Sequence, residues 1–65
     1  MTYEGLAYCA QAESPDGKDI IHFFFYSKSR ANSKQNIADA KAEYRRKHGH
    51  TVNVLRTWRA AGLGL

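Results

Sequence analysis

"DIIHFFFYSKSR", residues 19–30, is the stretch on which the fold turns. From Ile20 to Tyr26 every residue is large and apolar except His22. A strand points successive side chains to opposite faces, so this run is greasy on both sides. The whole chain has 65 residues. A domain of that size buries only about 60% of the surface its unfolded chain exposes. It can cover one face of such a strand with an element of its own. The second face is left for something else.

Just before this run stands "SPDGK", residues 14–18. Pro15 presets φ for a turn, Asp16 suits the next position, and Gly17 can take positive φ. A three-residue loop of this kind, a type I turn with a G1 bulge, joins two antiparallel strands. The partner strand is residues 2–13, "TYEGLAYCAQAE", paired with a strand over 19–28. If Ser14 pairs with Lys18, then Ala10 opposes His22, Tyr8 opposes Phe24 and Leu6 opposes Tyr26. Cys9 then opposes Phe23, and Ala7 opposes Phe25. The second set mixes small and large residues and suits a covering helix. The first set, with Leu6, Tyr8, Ile20, His22, Phe24 and Tyr26, forms the open face.

After the run, residues 32–48 read as that helix. Ile37, Ala40, Lys41, Tyr44 and His48 recur at helical spacing. Asn32 with Gln35 makes a capping-box pattern, and Ser29 is an alternative start. Glu43 and Lys47 form an i,i+4 pair, and Gly49 suits the left-handed residue that ends a helix. Residues 51–59, "TVNVLRTWR", read as a third strand. Alternation assigns Val52, Val54 and Trp58 to the helix side, and Leu55 and Arg59 to the open face. The tail 60–65 has no clear pattern, although Leu63 and Leu65 could fold over an apolar surface.

The expectation is one α+β domain over residues 1–65, of order ββαβ. It has a three-stranded mixed sheet with one helix packed on one face. The crossover returns the third strand parallel to the second. Spatial order 2-1-3 is preferred because it leaves room for the helix.

Composition bounds the function. The formal net charge is +4, concentrated in the second half, where Lys28, Arg30, Lys34, Lys41, Arg45, Arg46, Lys47, Arg56 and Arg59 face only Asp39 and Glu43. Such a surface either binds a polyanion or keeps a small protein in solution. One cysteine, Cys9, permits no internal disulfide and fits a reducing cytoplasm. The start "MTYEG" is no signal peptide, and no apolar run reaches the ~20 residues of a membrane helix.

Chemistry is sparse. Cys9 reads as a buried, inert thiol, though a register slip toward His22 would make it a nucleophile candidate. His48 and His50 are too few for a structural zinc site, so no metal or cofactor is expected. No paired carboxylates, phosphate loop or nucleophile elbow is present, and the chain reads as a non-enzyme.

The open face then carries the function. Tyr8, His22, Phe24 and Tyr26 offer rings for stacking bases, Arg59 a guanidinium, and Arg45 and Arg46 contacts for phosphates. Together they describe a module for single-stranded nucleic acid. "HFFFY" resembles the aromatic strands of RNA-recognition sheets, without their glycine-containing motif. The alternative is a protein-interaction module or small inhibitor whose open face meets a partner or a second copy in a homodimer.

Overall fold

The computed structural model describes residues 5–60. Strand β1 (Leu6–Glu13), strand β2 (Ile20–Ser27), helix α1 (Lys34–His48) and strand β3 (Asn53–Arg59) follow in that order. The sheet order is β2-β1-β3. β1 is antiparallel to both neighbours. The fold is a small α+β domain with the ββαβ order. The expected mixed sheet is corrected to an antiparallel one. β2 and β3 run the same way but lie on either side of β1, so no parallel pair forms. Residues 2–4 of the expected first strand, and the tail residues Leu63 and Leu65, lie outside the described residues.

The hairpin register differs from the expected one by a single residue. Tyr8 pairs with Phe25, Cys9 with Phe24, Ala10 with Phe23 and Gln11 with His22. The cause is the turn. Asp16 Oδ1 accepts hydrogen bonds from the Lys18 N–H at 3.0 Å and from the Ser14 hydroxyl. Lys18 is thereby held inside the loop, and the Ser14 N–H closes the hairpin on the Asp19 carbonyl at 2.8 Å. Side chains alternate with period two, so the one-residue shift moves all of β1 to the other face relative to β2. Tyr8, Ala10 and Ala12 turn toward the helix. Ala7, Cys9 and Gln11 turn away from it.

The core follows from that register. Tyr8, Ala10, Ala12, Phe25, Ala40, Val52 and Val54 are buried together, with Ile21, Phe23, Ile37 and Tyr44 packed against them. Tyr8 stacks on Phe25 at 5.6 Å between ring centroids. Ala10, Ala12 and Ala40 are fully buried, and α1 packs across the sheet mainly against the flanking strands β2 and β3. At the start of β1, Gly5 takes φ +88°, and a Cβ there would stand 2.2 Å from the Ser27 carbonyl oxygen. Only glycine fits that approach.

β3 is not a regular strand. Gln11 pairs with Arg56 while Ala12 pairs with Val54, so Leu55 is an extra residue in a bulge. Before the bulge Val52 and Val54 point inward. After it the inward residue is Thr57, which is 2% exposed. Trp58 is therefore moved to the open face, and Arg59 takes the helix-side parity. Both differ from the strict alternation read off the sequence.

The helix cap lies one residue later than expected, and the helix begins at Lys34. Ser33 is the N-cap and accepts from the Asn36 N–H at 3.2 Å. Asn32, at φ +64°, has a different task. Its Nδ2 donates to the Thr57 carbonyl at 3.0 Å, and its Oδ1 accepts the Thr57 N–H at 2.8 Å. Asn36 is fully buried beside it. It donates to the Ser29 carbonyl at 3.0 Å and accepts from the Thr57 hydroxyl. A buried amide is tolerable only with its donors and acceptors met, as here. Ser27, also buried, donates to Asp39 Oδ2 at 2.6 Å. This polar seam fastens the crossover, the helix and β3 to one another. The helix ends as expected at Gly49, with φ +81° and its N–H bonded to the Arg45 carbonyl. Glu43 holds Lys47 at 3.2 Å and Arg46 at 2.9 Å.

Candidate functional site on the open sheet face

The face away from the helix is built in rows across the sheet. One row is Phe24, Cys9 and Trp58, and the next is His22, Gln11 and Arg56. Ile20, Phe24, Tyr26, Leu55 and Trp58 are the large apolar residues exposed around these rows, at 52, 54, 45, 45 and 36% of their surface. β1 contributes the small Cys9 between Phe24 and Trp58, and Ala7 beside Tyr26.

Its polar groups are few and mutually engaged. The Arg56 guanidinium lies over the Trp58 ring, 5.1 Å from the centroid, and its Nε donates to Gln11 Oε1 at 3.2 Å. Gln11 Nε2 lies 3.4 Å from His22 Nε2 and donates to it when the ring carries its proton on Nδ1. The His22 ring meets Trp58 edge-on at 6.0 Å. Trp58 is therefore fixed from two sides while part of its surface stays in water. A side chain held in place in this way loses little entropy when a ligand covers it.

Cys9 lies in the middle of this face, yet it is only 8% exposed because Phe24 and Trp58 flank it. Burial pushes its thiol above the ordinary range, which disfavours the reactive thiolate. The register shift goes away from a Cys9–His22 pairing, and Cys9 faces Phe24 instead. Among the described residues, no three of His, Cys, Asp and Glu gather as a metal site would require. Nor is any helix among them long and apolar enough to cross a membrane.

The residues singled out from sequence separate into three places. His22, Phe24 and Tyr26 come together on the open face. Tyr8 does not join them. It is 4% exposed and belongs to the core under the helix. Arg59 follows Tyr8, with its guanidinium 5.7 Å from that ring and its Nε on the Ala7 carbonyl at 3.3 Å. Arg45 and Arg46 ride on α1, on the other side of the sheet, where Arg46 pairs with Glu43. Trp58 and Arg56 complete the face; alternation had assigned Trp58 to the helix side, and Arg56 shares its parity. The signal for them would have been a bulge in "NVLRTW", which has no glycine or other mark to show it.

Comparison of the chain with protein-family models, curated proteins and solved structures finds no match.

Proposed function

We propose that this chain is a non-enzymatic binding module that docks its open sheet face on a protein partner. The observation that carries this reading is the exposure of Phe24, Tyr26, Trp58, Ile20 and Leu55 on one face around a single guanidinium, Arg56. Apolar patches of this kind mark interaction sites. Tryptophan, tyrosine and arginine are also the residues that dominate protein interfaces energetically. The matching partner surface is apolar, with an acidic group to meet the outer edge of Arg56. The lone thiol is compatible with a reducing, cytoplasmic setting.

A second reading, single-stranded nucleic acid, keeps one favourable observation. Arg56, Trp58, His22 and Phe24 make a stacking surface with a cation. It loses Tyr8 as a stacking ring. It also loses Arg45 and Arg46 as phosphate contacts for that surface, since they lie across the sheet.

Co-purification of the tagged chain from its host separates the two. Trp58→Lys and Phe24→Lys should each abolish recovery of the protein partner while the variants still melt cooperatively. Arg45→Ala should leave recovery unchanged. The protein reading fails if recovery is indifferent to both face variants. Nucleic acid takes its place if a labelled oligonucleotide binds at low salt and Trp58→Ala abolishes that binding.

A further inference from the structure

The two edges of the sheet are treated differently. In an antiparallel strand the N–H and C=O of one residue point to the same side, and successive residues alternate sides. The Ser14 N–H bonds to the Asp19 carbonyl, and the Ala60 N–H to the Ala7 carbonyl. With the two registers, these bonds phase all three strands. Ile21, Phe23 and Phe25 spend their backbone groups on β1. Ile20, His22 and Phe24 aim theirs at the outer edge of β2. On the opposite edge of the sheet, Thr57 aims outward from β3.

That opposite edge is blocked at Thr57. The Asn32 amide takes both outward groups of Thr57, as a neighbouring strand would. It adopts a left-handed backbone, φ +64°, in doing so. The bulge at Leu55 breaks the edge further. Natural proteins blunt exposed edges with bulges, prolines, lysines or covering loops, because a bare edge recruits another strand. β2 carries none of these devices. Its eight residues, "IIHFFFYS", contain no proline, glycine or lysine, and they run without a bulge. Among the described residues, no group bonds to the outward N–H or C=O of Ile20, His22 or Phe24.

We propose that the β2 edge pairs with the β2 edge of a second copy of this chain, antiparallel and centred on His22. The two sheets then become one continuous sheet. The strand complements itself in this register. His22 meets His22 of the second copy in a hydrogen-bonded pair, and Ile20 meets Phe24 of the second copy on either side. Cross-strand pairs of a β-branched and an aromatic residue stabilise a sheet. The two-fold axis stands perpendicular to the sheet, so both helices lie on one side and both open faces on the other. Pairing doubles the binding face and does not cover it. The inference goes beyond the face reading and does not depend on what docks there.

Sedimentation at increasing protein concentration tests it, with two variants. His22→Pro removes an outward N–H from an edge strand, a position where proline is tolerated. It should weaken dimerisation at least tenfold. Trp58→Lys alters the face but not the edge, and it should leave the dimer intact. Amide exchange on the wild-type chain supplies a readout that needs no variant: Ile20, His22 and Phe24 should become protected as concentration rises. His22→Cys should form a disulfide between copies, because a hydrogen-bonded antiparallel pair sets its Cα atoms about 5.5 Å apart, within disulfide reach. A monomer at every concentration overturns the proposal. So does a dimer that survives His22→Pro and dissociates on Trp58→Lys, which would mean stacked faces. Protection of these amides only on addition of a different chain overturns the second copy and assigns the edge to an extended peptide.

Discussion

Phe25 and Phe24 are neighbours in one strand, yet one is 1% exposed and the other 54%. The difference comes from the alternation of a strand that is apolar on both sides while, among the described residues, a single helix covers one of them. The helix face is finished. Its rings stack, its small residues are fully buried, and among the described residues its buried side-chain polar atoms all have partners. The open face carries residues of the same type without that cover. Residue type alone therefore does not distinguish core from binding surface in this chain. The side of the strand does.

Replacements that remove the same kind of ring from each face should break or sharpen this contrast. The largest effect is expected for Phe25→Ala and Tyr8→Ala, each costing about 3–5 kcal/mol because a filled site is emptied. Phe24→Ala should cost under about 1 kcal/mol, within the range of ordinary surface changes. Chemical denaturation measures all three. Comparable losses at Phe24 and Phe25 would mean that both faces are covered in the free protein.

The polar seam should come next. Asn36→Ala leaves the Thr57 hydroxyl proton without its acceptor and the Ser29 carbonyl without its donor, while the Thr57 oxygen still accepts the Asn32 N–H. The expected loss is about 1–3 kcal/mol. Thermal melts of Asn36→Ala and Asn36→Asp should both fall, since the acid cannot donate to Ser29. An unchanged melting temperature would show that the seam contributes nothing to holding the helix against the sheet.

The smallest effect belongs to the helix surface. Burial alone would raise the Glu43 carboxyl, but hydrogen bonds and the charges of Arg46 and Lys47 outweigh it and hold the group below its ordinary value. A depressed folded-state value means the contribution is present above the unfolded carboxylate range and is lost as pH falls through the folded value. Glu43→Gln should cost less than about 1 kcal/mol at neutral pH. That cost should vanish in acid. A cost that persists in acid would trace to packing and not to charge.

Much of this was legible in the sequence, and what was not has a physical cause. The alternation of Phe23 and Phe25 against Phe24 and Tyr26 in β2 could be read directly, because long apolar side chains leave no doubt about parity once the strand is recognised. The end of the helix at Gly49 was legible for a similar local reason. The strand order was not fixed in this way, because a crossover helix can return its strand beside either member of the hairpin, and 2-1-3 was only the preferred of two arrangements. β1 was not, because "LAYCAQAE" has no amphipathic period of its own and takes its face from the turn. One hydrogen bond from Lys18 to Asp16 lengthened that loop and turned Tyr8 inward. Trp58 was displaced by a bulge that no glycine announces. Asn32 read as a helix cap, and nothing in the local pattern marked Asn36. Their roles depend on Thr57, which lies 25 and 21 positions away in the sequence, and short-range patterns do not carry that distance.

The register of β1 decides which residues form the open face, and Cys9 reports it. The measurement is the rate at which the native protein's only thiol is alkylated. With Cys9 between Phe24 and Trp58, the wild-type chain should react slowly, and Trp58→Ala should speed the reaction at least tenfold. Tyr44→Ala, which opens the helix side, should change it little. Acceleration by Tyr44→Ala with none from Trp58→Ala would put Cys9 under the helix and contradict the open face described here.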